Sequence, residues 1–591
     1  MLPTERDSRF PRSRNEYQWS LISLKTFFFF FSYVIFPAVI FSQGLPKEDA
    51  TQAKADALIS HLRQLTSIAP SGLPGVPEKC GFHYQFDVKS YWNSFTLAQR
   101  EFVQSIFARP QLQKSILSPS GHFRVHFDTT GVNTPALLDN SGVRITGTAR
   151  AYADSVAAVF DYVWDFETRV LGYPPPPADK GVDGGNEYDI YILEVSQSFY
   201  GQTIFNEEDV LNAQRPNPTY ASFIEIDNDY RGYFSSGIRG LKVTAAHEFH
   251  HSIQVGNYGF WVDDVYYYEI TSTWMEDVVY NDINDYYQYL GYYFRNTTIP
   301  FNVSDNYIEY GRSLWGKFIE KRFGRDMMRR SWEYINTLRS LPAIDVALRE
   351  KGTSFMRELP EFSLWHFYTG GKRADPLNYF SEASSYPDVR VVDIGSFIPP
   401  SAVIADTARH LSFQFFRLTV PRTGGSDTLS VDVTNLNVAG ANQGDNTAFP
   451  FSFRLTTETG DESYSALQNG LRYKLLVDDP TNWKSLTFLN LGLTIADNIE
   501  PYPNPFFAGK SGGVAFPIST SQKAQATLNI YSTSLKLVIS KVTDSITQYG
   551  QQVIEWDGRD SRGEFVQSGI YVYHLVSGEK EYKGKIAVVR Q

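Results

Sequence analysis

The sequence predicts an α+β domain followed by two all-β sandwich domains, and three patterns lead to this prediction. Hydrophobic periods typical of strands and of helices follow one another between residues 119 and 385. Residues 386–499 consist of short alternating runs separated by Gly, Asn, Asp and Pro, which is the pattern of a β-sandwich. Residues 500–591 contain a second set of such runs. With 42% hydrophobic and 15% aromatic residues, a chain of 591 residues can fill several cores.

Residues 1–43 have the pattern of a secretory signal peptide. Arginines precede an apolar run at residues 27–41, which ends in small and polar residues. The alternative is an uncleaved membrane anchor, although the run is short for a full span and Pro37 interrupts it. We therefore expect cleavage near Ser42 and no stable membrane span afterwards.

Residues 44–118 are predicted to form a helical N-terminal segment, which is a candidate propeptide. Helical periodicity extends over residues 48–65 and again over residues 96–107. The segment contains Cys80, the single cysteine of the chain, so no intramolecular disulfide can form.

The α+β region begins with a strand pattern at residues 122–127 and a long amphipathic helix at residues 148–170. Residues 188–195 and 221–227 read as further strands. The second of these precedes the motif described next, so it is a candidate edge strand for docking an extended peptide; an ordinary core strand is the alternative.

An acidic loop could bind Ca²⁺, but its spacing fits no standard loop, and a solvated turn is the alternative. The residues of this loop are Asp179, Asp183, Asn186 and Asp189.

Residues 241–255 contain the spacing H-E-x-x-H in a run with no Gly or Pro, which predicts a helix. On a helix, His247 and His251 lie one turn apart on the same face, so both imidazoles can bind one ion. Glu248 lies beside them and can act as general base. The expected ion is Zn²⁺, which lowers the pKa of a bound water to about 7. His250 points about 100° away and is expected to be a neighbour of the site.

A third ligand has to come from another part of the chain. A metzincin would have Gly and His at positions 254 and 257, whereas this chain has Gln254 and Asn257. Residues 268–280 form a helical pattern with two candidates, Glu269 and Glu276. They are seven residues apart and lie nearly on one face, so periodicity leaves both open.

The segment E-I-T-S-T-W-M-E-D resembles the glutamate helix of gluzincins. H-E-F-x-H-x-x-Q followed by this segment is most similar to a family of secreted bacterial zinc metalloproteases, although that family has E-G-T-A-T at its start. The resemblance implies a zincin-like metalloprotease fold for residues 119–385 and makes Glu269 the third ligand. Glu276 or Asp277 would then orient an imidazole through a hydrogen bond. Gluzincins often use a tyrosine to stabilise the oxyanion, and here Tyr310 or Tyr307 could serve.

Cys80 suggests a latent form of such an enzyme. A thiolate is a good zinc ligand, and the segment P-E-K-C-G precedes the catalytic region, as an inhibitory cysteine would in a zymogen. The alternative is a buried, inert cysteine.

The last module carries a second resemblance. P-N-P-F at residues 503–506, W-D-G-x-D-x-x-G at residues 556–563 and S-G-x-Y at residues 568–571 resemble the immunoglobulin-like domain of flagellar hook-capping proteins and of type IX secretion sorting signals. This implies that residues 500–591 contact the secretion machinery or the surface of a bacterial cell. The sequence of residues 386–499 contains no catalytic or metal-binding motif, and the role of this region stays open.

These patterns together predict a secreted zinc endopeptidase that acts on protein or peptide substrates. The alternative is a surface adhesin or glycan-binding protein whose zinc site is structural or inactive. The net charge of −11 and the absence of a long basic block argue against a nucleic-acid partner.

Overall fold

The computed structural model describes residues 47–67, 78–396 and 411–419, the strands between residues 427 and 492, and residues 501–590. Gaps within these ranges are residues 180, 196–198, 207–208, 216, 306, 372–375, 502–505, 509–512, 519–522, 534–535, 549–550 and 579. The chain divides into two compact units, residues 1–51 and 52–591, and the features below belong to the second. The predicted signal peptide lies outside the described residues. In the described part, no helix combines the length and the apolar character that crossing a membrane requires.

The site described below is built around a mixed sheet of six strands within the described residues. These are β1 (Glu78–Cys80), β2 (Lys114–Leu117), β3 (Phe123–Phe127), β4 (Tyr188–Leu193), β5 (Phe199–Ile204) and β6 (Phe223–Asp227). Their order across the sheet is β1-β5-β6-β4-β3-β2. Strands β3, β4 and β6 run parallel, whereas β5 is antiparallel to β6 and β2 is antiparallel to β3.

Helices before, between and after these strands complete the region. Within the described residues they are α1 (Lys47–Ser67), α2 (His83–Tyr91), α3 (Leu97–Ile106), α4 (Ala149–Trp164), α5 (Ile238–Ile253), α6 (Val265–Val279), α7 (Tyr287–Arg295), α8 (Ile308–Gly311), α9 (Leu314–Phe323), α10 (Asp326–Ile335), α11 (Ser340–Arg349) and α12 (Phe355–Trp365). The sequence predicts α3 well because Thr96 and Gln99 form a reciprocal capping box at its start. Two residues, Arg312 and Ser313, separate α8 from α9.

Helix α5 carries the H-E-x-x-H motif and packs against β5, β6 and the helices α4 and α6. Its close approach to β5 requires Gly201, because a Cβ there would lie 2.7 Å from Cγ2 of Thr244. After Ile253 the helix continues as a π-helical turn, Gln254–Tyr258. Such π turns are frequent at functional sites, and this one carries a residue of the site.

The N-terminal segment contributes two strands to this sheet. β2 pairs with β3, and β1 pairs in parallel with β5, so that Glu78 faces Phe199 and Cys80 faces Gly201. The sheet therefore begins before residue 119. Residues 78–80 cover the edge of β5, which would otherwise be the free edge nearest the motif.

The prediction that residues 221–227 form an edge strand for peptide docking is wrong. β6 occupies these positions, but it pairs with β5 on one side and with β4 on the other. All five of its side chains are buried. A strand with both edges paired has no free backbone groups to offer a substrate.

Residues 391–492 contain short strands, in the region where the sequence pattern indicates them. They are β7 (Val391–Ser396), β8 (Ser412–Thr419), β9 (Asp427–Thr434), β10 (Phe451–Thr456), β11 (Asp461–Ala466), β12 (Gly470–Val477) and β13 (Leu486–Gly492). Two sheets are present among the described residues, β11-β10-β13-β8-β7 and β12-β9.

The last module also has two sheets within its described residues. Its strands are β14 (Phe506–Ala508), β15 (Val514–Ile518), β16 (Gln525–Ser532), β17 (Leu537–Asp544), β18 (Ile546–Gln548), β19 (Gln551–Trp556), β20 (Gly569–Ser577) and β21 (Lys580–Arg590). They are arranged as β14-β21-β20-β16-β17 and β15-β19-β18. Trp556 of the W-D-G motif lies in the separate core of this module, and its indole donates to the carbonyl of Arg559 at 2.8 Å.

Candidate metal centre and active site

Three side chains on α5 and α6 bring their donor atoms to one point. The Nε2 atoms of His247 and His251 are 3.1 Å apart. Oε2 of Glu269 lies 3.2 Å from the first of these nitrogens and 3.4 Å from the second. All three residues are fully buried. The helical spacing of the two histidines produces this arrangement, since residues i and i+4 lie on one face.

Hydrogen bonds on the far side of each imidazole orient the two rings. Nδ1 of His247 donates to Oε1 of Glu276 at 2.8 Å. Nδ1 of His251 donates to Oε1 of Gln254 at 2.8 Å, and the amide group of Gln254 in turn donates to Thr271 at 2.9 Å. Because each Nδ1 carries the proton, each Nε2 presents a lone pair to the shared point, as a metal ligand does.

This donor set fits a zinc ion. Two nitrogen lone pairs and a carboxylate oxygen would repel one another at these distances unless positive charge lay between them. Burial alone would lower the pKa of His247, yet the carboxylates of Glu269 and Glu276 raise it to about 9, so this point favours a positive charge, whether a proton or a metal ion. Burial alone would raise the pKa of Glu269, yet His251 and His247 lower it to about 2. Imidazole and carboxylate ligands in this number are typical of zinc enzymes.

Cys80 completes the cluster as a fourth group. Its Sγ and the ligand atoms of His247, His251 and Glu269 all lie within 4.8 Å of one another. Burial, and then the neighbouring carboxylates of Glu248 and Glu269, raises the pKa of the Cys80 thiol well above its ordinary value. The Cys80 sulfur could serve as a fourth ligand, which would close the site.

Residues following Cys80 hold it in place over the cluster. The amide of Gly81 donates to the carbonyl of Gly201 at 3.1 Å, which extends the pairing with β5. The ring of Phe82 stacks on the imidazole of His251, with 3.9 Å between ring centroids. The N-terminal segment therefore covers the ligands, which explains why they are fully buried.

Glu248 has the position expected of a general base. Its Oε2 accepts a hydrogen bond of 2.8 Å from Thr203, whose hydroxyl also lies 2.9 Å from the Glu248 carbonyl oxygen. Oε1 of Glu248 is buried and has no hydrogen-bond partner among the described residues. One carboxylate oxygen is thus fixed by β5, and the Cys80 thiol lies beside the same carboxylate.

Lys79 places a cation beside the same cluster. Its Nζ lies 2.9 Å from Oε2 of Glu276 and 2.5 Å from Oδ2 of Asp285. It also lies 4.4 Å from the ring centroid of Tyr200. The lysine is 1% exposed, so this is a buried ion pair.

Tyr310 packs against the cluster, with its ring centroid 6.3 Å from that of His247. Tyr307 lies behind it, with 6.1 Å between the two tyrosine ring centroids.

Asp277 does not orient an imidazole, which corrects that part of the prediction. It follows Glu276 and so projects about 100° further around α6. Its Oδ2 pairs with Nζ of Lys317 at 2.7 Å. His250 likewise points away from the cluster, and its Nδ1 donates to Glu167 at 2.8 Å.

The acidic loop does not resemble a calcium site. Arg109 lies between two of its carboxylates, 2.7 Å from Asp179 and 2.6 Å from Asp189. Asp183 accepts a hydrogen bond of 2.5 Å from Tyr191. A guanidinium group already neutralises the loop, so the prediction of Ca²⁺ receives no support from this geometry.

Sequence reasoning missed the residues that support the site. Gln254 lies three positions after His251, on the same face of the helix, and this H-x-x-Q spacing could have identified it as the partner of that imidazole. Thr203, Lys79 and Asp285 come from distant parts of the chain, and no local pattern indicates that they meet here.

Comparisons with known proteins give little further guidance. No family model and no curated protein matches the sequence. The chain is similar over 17% of its length to PorZ of Porphyromonas gingivalis, an essential surface component of the type-IX secretion system, with 19% identity and a TM-score of 0.13. It is similar over 28% of its length to dimeric latent PorU of the same organism, with 16% identity and a TM-score of 0.14. A β-glucuronidase of Parabacteroides merdae matches over 30%, with 9% identity and a TM-score of 0.11.

These similarities are confined to parts of the solved proteins. The chain covers 14% of PorZ, 18% of PorU and 27% of the β-glucuronidase. Its weak structural neighbours thus include a component of the type IX secretion system.

Proposed function

We propose that this chain is a zinc endopeptidase. The observation that carries the proposal is the convergence of His247, His251 and Glu269, with the carboxylate of Glu248 next to them. These are two imidazoles, a carboxylate ligand and a candidate base, which is the set that a gluzincin uses.

Each residue of the cluster has a role in peptide hydrolysis. When bound by the three ligands, zinc supplies Lewis acidity, which polarises a carbonyl and makes a water nucleophilic near neutral pH. Glu248 accepts the proton of that water and returns it to the leaving amine. Thr203 holds one oxygen of Glu248 in place, so the other oxygen faces the water. Tyr310 donates a hydrogen bond to the oxyanion once the substrate has entered.

We further propose that the full chain is latent. Cys80 would supply a fourth ligand beside His247, His251 and Glu269 and so exclude water and substrate, and residues 78–80 cover the edge of β5 where an extended substrate would pair. β1 runs parallel to β5 and Phe82 lies on His251, so the N-terminal segment fills the cleft. Activation requires that residues 78–82 withdraw from the ligands and from β5, and removal of the Cys80 side chain weakens their hold.

The second candidate function is a surface adhesin with a structural zinc site. The closed set of four ligands favours it, because structural sites are closed whereas catalytic sites keep an open position. The two hypotheses differ in one respect: a structural site keeps Cys80 in the mature protein, and an enzyme releases it. The position of the Glu248 carboxylate beside His247 and Cys80 favours the enzyme, since a structural site has no use for a base.

We also propose that the protein acts outside the bacterial cell, with residues 500–591 contacting the secretion machinery or the cell surface. The signal-peptide pattern and the resemblance of the last module to sorting domains support this.

The proposed activity is tested with the full-chain Cys80→Ala variant loaded with zinc. We expect it to cleave casein, to lose this activity with a chelator, and to recover it with added zinc. Glu248→Gln in the same background is the matched control and should be inactive. If the correctly folded, zinc-loaded variant shows no chelator-sensitive cleavage of casein or gelatin, the adhesin hypothesis is preferred.

A further inference from the structure

Lys79 occupies a pocket that belongs to the cleft and not to the N-terminal segment. Its ammonium group contacts Glu276 on α6, Asp285 just before α7 and the ring of Tyr200 on β5. The pocket therefore provides two carboxylates and one aromatic face for a single positive charge. When the segment leaves, these three side chains stay with the catalytic region.

The walls of this pocket are held in place without the lysine. Oδ1 of Asp285 accepts a hydrogen bond of 3.3 Å from Tyr200, and its Oδ2 accepts one of 3.0 Å from Gln288. The amide of Gln288 also donates to the hydroxyl of Tyr200 at 3.2 Å. Glu276 is fixed by its hydrogen bond to His247. A pocket with fixed walls loses little entropy when a ligand enters.

Removal of the ammonium group leaves two carboxylates without a positively charged partner. Both carboxylates lie deep in the protein, Glu276 at 1% and Asp285 at 0% exposure. In the latent chain the ammonium group of Lys79 balances their negative charge. A cation from the substrate would take over this role, whereas an apolar or acidic side chain would not.

The pocket is adjacent to the reacting centre. Lys79 immediately precedes Cys80, whose Sγ belongs to the metal cluster. The pairing of β1 with β5 places Lys79 between the pairs Glu78–Phe199 and Cys80–Gly201. A substrate residue whose side chain enters this pocket is therefore the neighbour of the residue that lies over the metal ligands.

We propose that Asp285, Glu276 and Tyr200 form a specificity subsite that accepts a lysine side chain of the substrate next to the scissile bond. Lys79 occupies this subsite in the latent chain as a substitute for the substrate lysine. The inference rests on the proposed peptidase function and adds the class of substrate: peptides with a lysine at the cleavage site. The short ammonium distances favour lysine over the longer, planar guanidinium of arginine.

The test uses the full-chain double variant Lys79→Ala, Cys80→Ala, which empties the subsite and removes the sulfur from the metal cluster, so that residues 78–80 are held less tightly in the cleft. Four peptides differ only at one central residue, which is Lys, Arg, norleucine or Glu, and mass spectrometry locates the cleaved bond. We expect cleavage next to lysine with kcat/KM at least about tenfold above norleucine, the value of one hydrogen bond to a charged group. Lys79→Gln, Cys80→Ser replaces this variant if it does not fold.

A binding measurement provides a second readout that needs no turnover. With Glu248→Gln added, calorimetry gives the affinity of each intact peptide. The lysine peptide should bind at least about tenfold more tightly than the norleucine peptide. Asp285→Asn should bring this ratio close to one. Asp282→Asn, at a carboxylate exposed in the same loop, is the matched control and should keep the ratio.

The outcomes separate the two proposals. Cleavage of all peptides at equal rates overturns the lysine subsite and leaves the peptidase intact. Selective binding of the lysine peptide without any cleavage overturns the peptidase and retains the subsite. A lysine preference that Asp285→Asn leaves unchanged also overturns the subsite, because another part of the cleft must then recognise the cation.

Discussion

Oε1 of Glu276 accepts a 2.8 Å hydrogen bond from Nδ1 of His247, while its Oε2 pairs with Nζ of Lys79 at 2.9 Å. One carboxylate thus orients a metal-binding imidazole and at the same time contacts the N-terminal segment. Removal of Lys79 changes the charge next to that imidazole. The orientation of His247 and the release of the segment are therefore physically linked.

The two glutamates of α6 should differ in their effect on zinc. Glu269→Ala removes a ligand, so zinc and activity should both be lost. Glu276→Ala leaves the ligands in place but removes the partner of His247, so zinc affinity should fall by roughly ten- to a hundredfold. Added zinc should then restore activity. Metal content after dialysis, followed by titration with zinc, measures both effects.

The opposite result would reverse the assignment. Should Glu269→Ala keep stoichiometric zinc while Glu276→Ala loses it, the two glutamates exchange roles. Glu269→Gln serves as the control for packing, because it preserves the volume of the side chain in this buried position. Zinc retention by both alanine variants would place the third ligand elsewhere and end the gluzincin hypothesis.

Glu248→Gln separates chemistry from metal binding. The amide keeps the size of the carboxylate but cannot accept a proton at neutral pH. In the Cys80→Ala background, turnover should fall by at least about a hundredfold, the usual contribution of a positioned base. Zinc content should stay near that of the parent. Thr203→Val is a useful comparison: it frees one oxygen of Glu248, and we expect a smaller loss. Unchanged turnover in Glu248→Gln would mean that another group is the base.

The sequence predicted the centre of the site better than its surroundings. The H-E-x-x-H spacing and the following glutamate helix are local patterns, and α5 and α6 bring His247, His251 and Glu269 together as expected. The choice between Glu269 and Glu276 could not come from periodicity, since both lie nearly on one face of α6. It came from the resemblance of the glutamate helix, and Oε2 of Glu269 lies 3.2 Å and 3.4 Å from the two Nε2 atoms.

The misplaced predictions share a physical cause. Which strand lies at the edge of a sheet depends on pairing between distant segments, so β6 could not be distinguished from β5 by its own pattern. Three residues, Glu78–Cys80, form a strand only because β5 offers a free edge. Their sequence, E-K-C, has no strand signal. The helical patterns of α3 and α4, in contrast, are local and were predicted close to their observed bounds.

Cobalt substitution should reveal whether Cys80 binds the metal. A thiolate bound to cobalt gives an intense charge-transfer absorption, which nitrogen and oxygen ligands do not give. We expect this band in the full chain and its loss in Cys80→Ser. A decrease of the band on activation, at the same time as proteolytic activity increases, would support latency. Absence of the band from the intact, cobalt-loaded chain would show that Cys80 is only a buried neighbour.

Deletion of residues 499–591 tests the role of the last module. This module has its own hydrophobic core, so its removal should leave zinc binding and turnover unchanged. If the module is an export address, the truncated protein should accumulate inside the cell envelope. Cells are fractionated, and the truncated protein and its bound zinc are measured in each fraction. Normal release of active truncated protein would show that the module has no role in export and serves only in adhesion.

His366 should make stability depend on pH. Its imidazole is fully buried, Nδ1 donates to the carbonyl of Phe362 at 2.8 Å, and burial lowers its pKa to about 3. An unfolded histidine has a pKa of about 6.5, so the unfolded chain binds the proton first. The stability contributed by neutral His366 is complete above about pH 6.5 and is lost progressively as the pH falls towards 3.

Comparison with His366→Asn isolates this contribution, because the amide keeps the donor to Phe362 but does not titrate. Between about pH 7.5 and about pH 5.5, the wild type should lose about 1 kcal/mol more unfolding free energy than the variant. Urea unfolding at both pH values provides the measurement, and other titrating groups cancel in the difference. His122→Asn, at an exposed histidine, is the control and should follow the wild type. An equal loss in wild type and His366→Asn would mean that the unfolded chain gains no proton at this residue, and burial of His366 would then have no role in acid sensitivity.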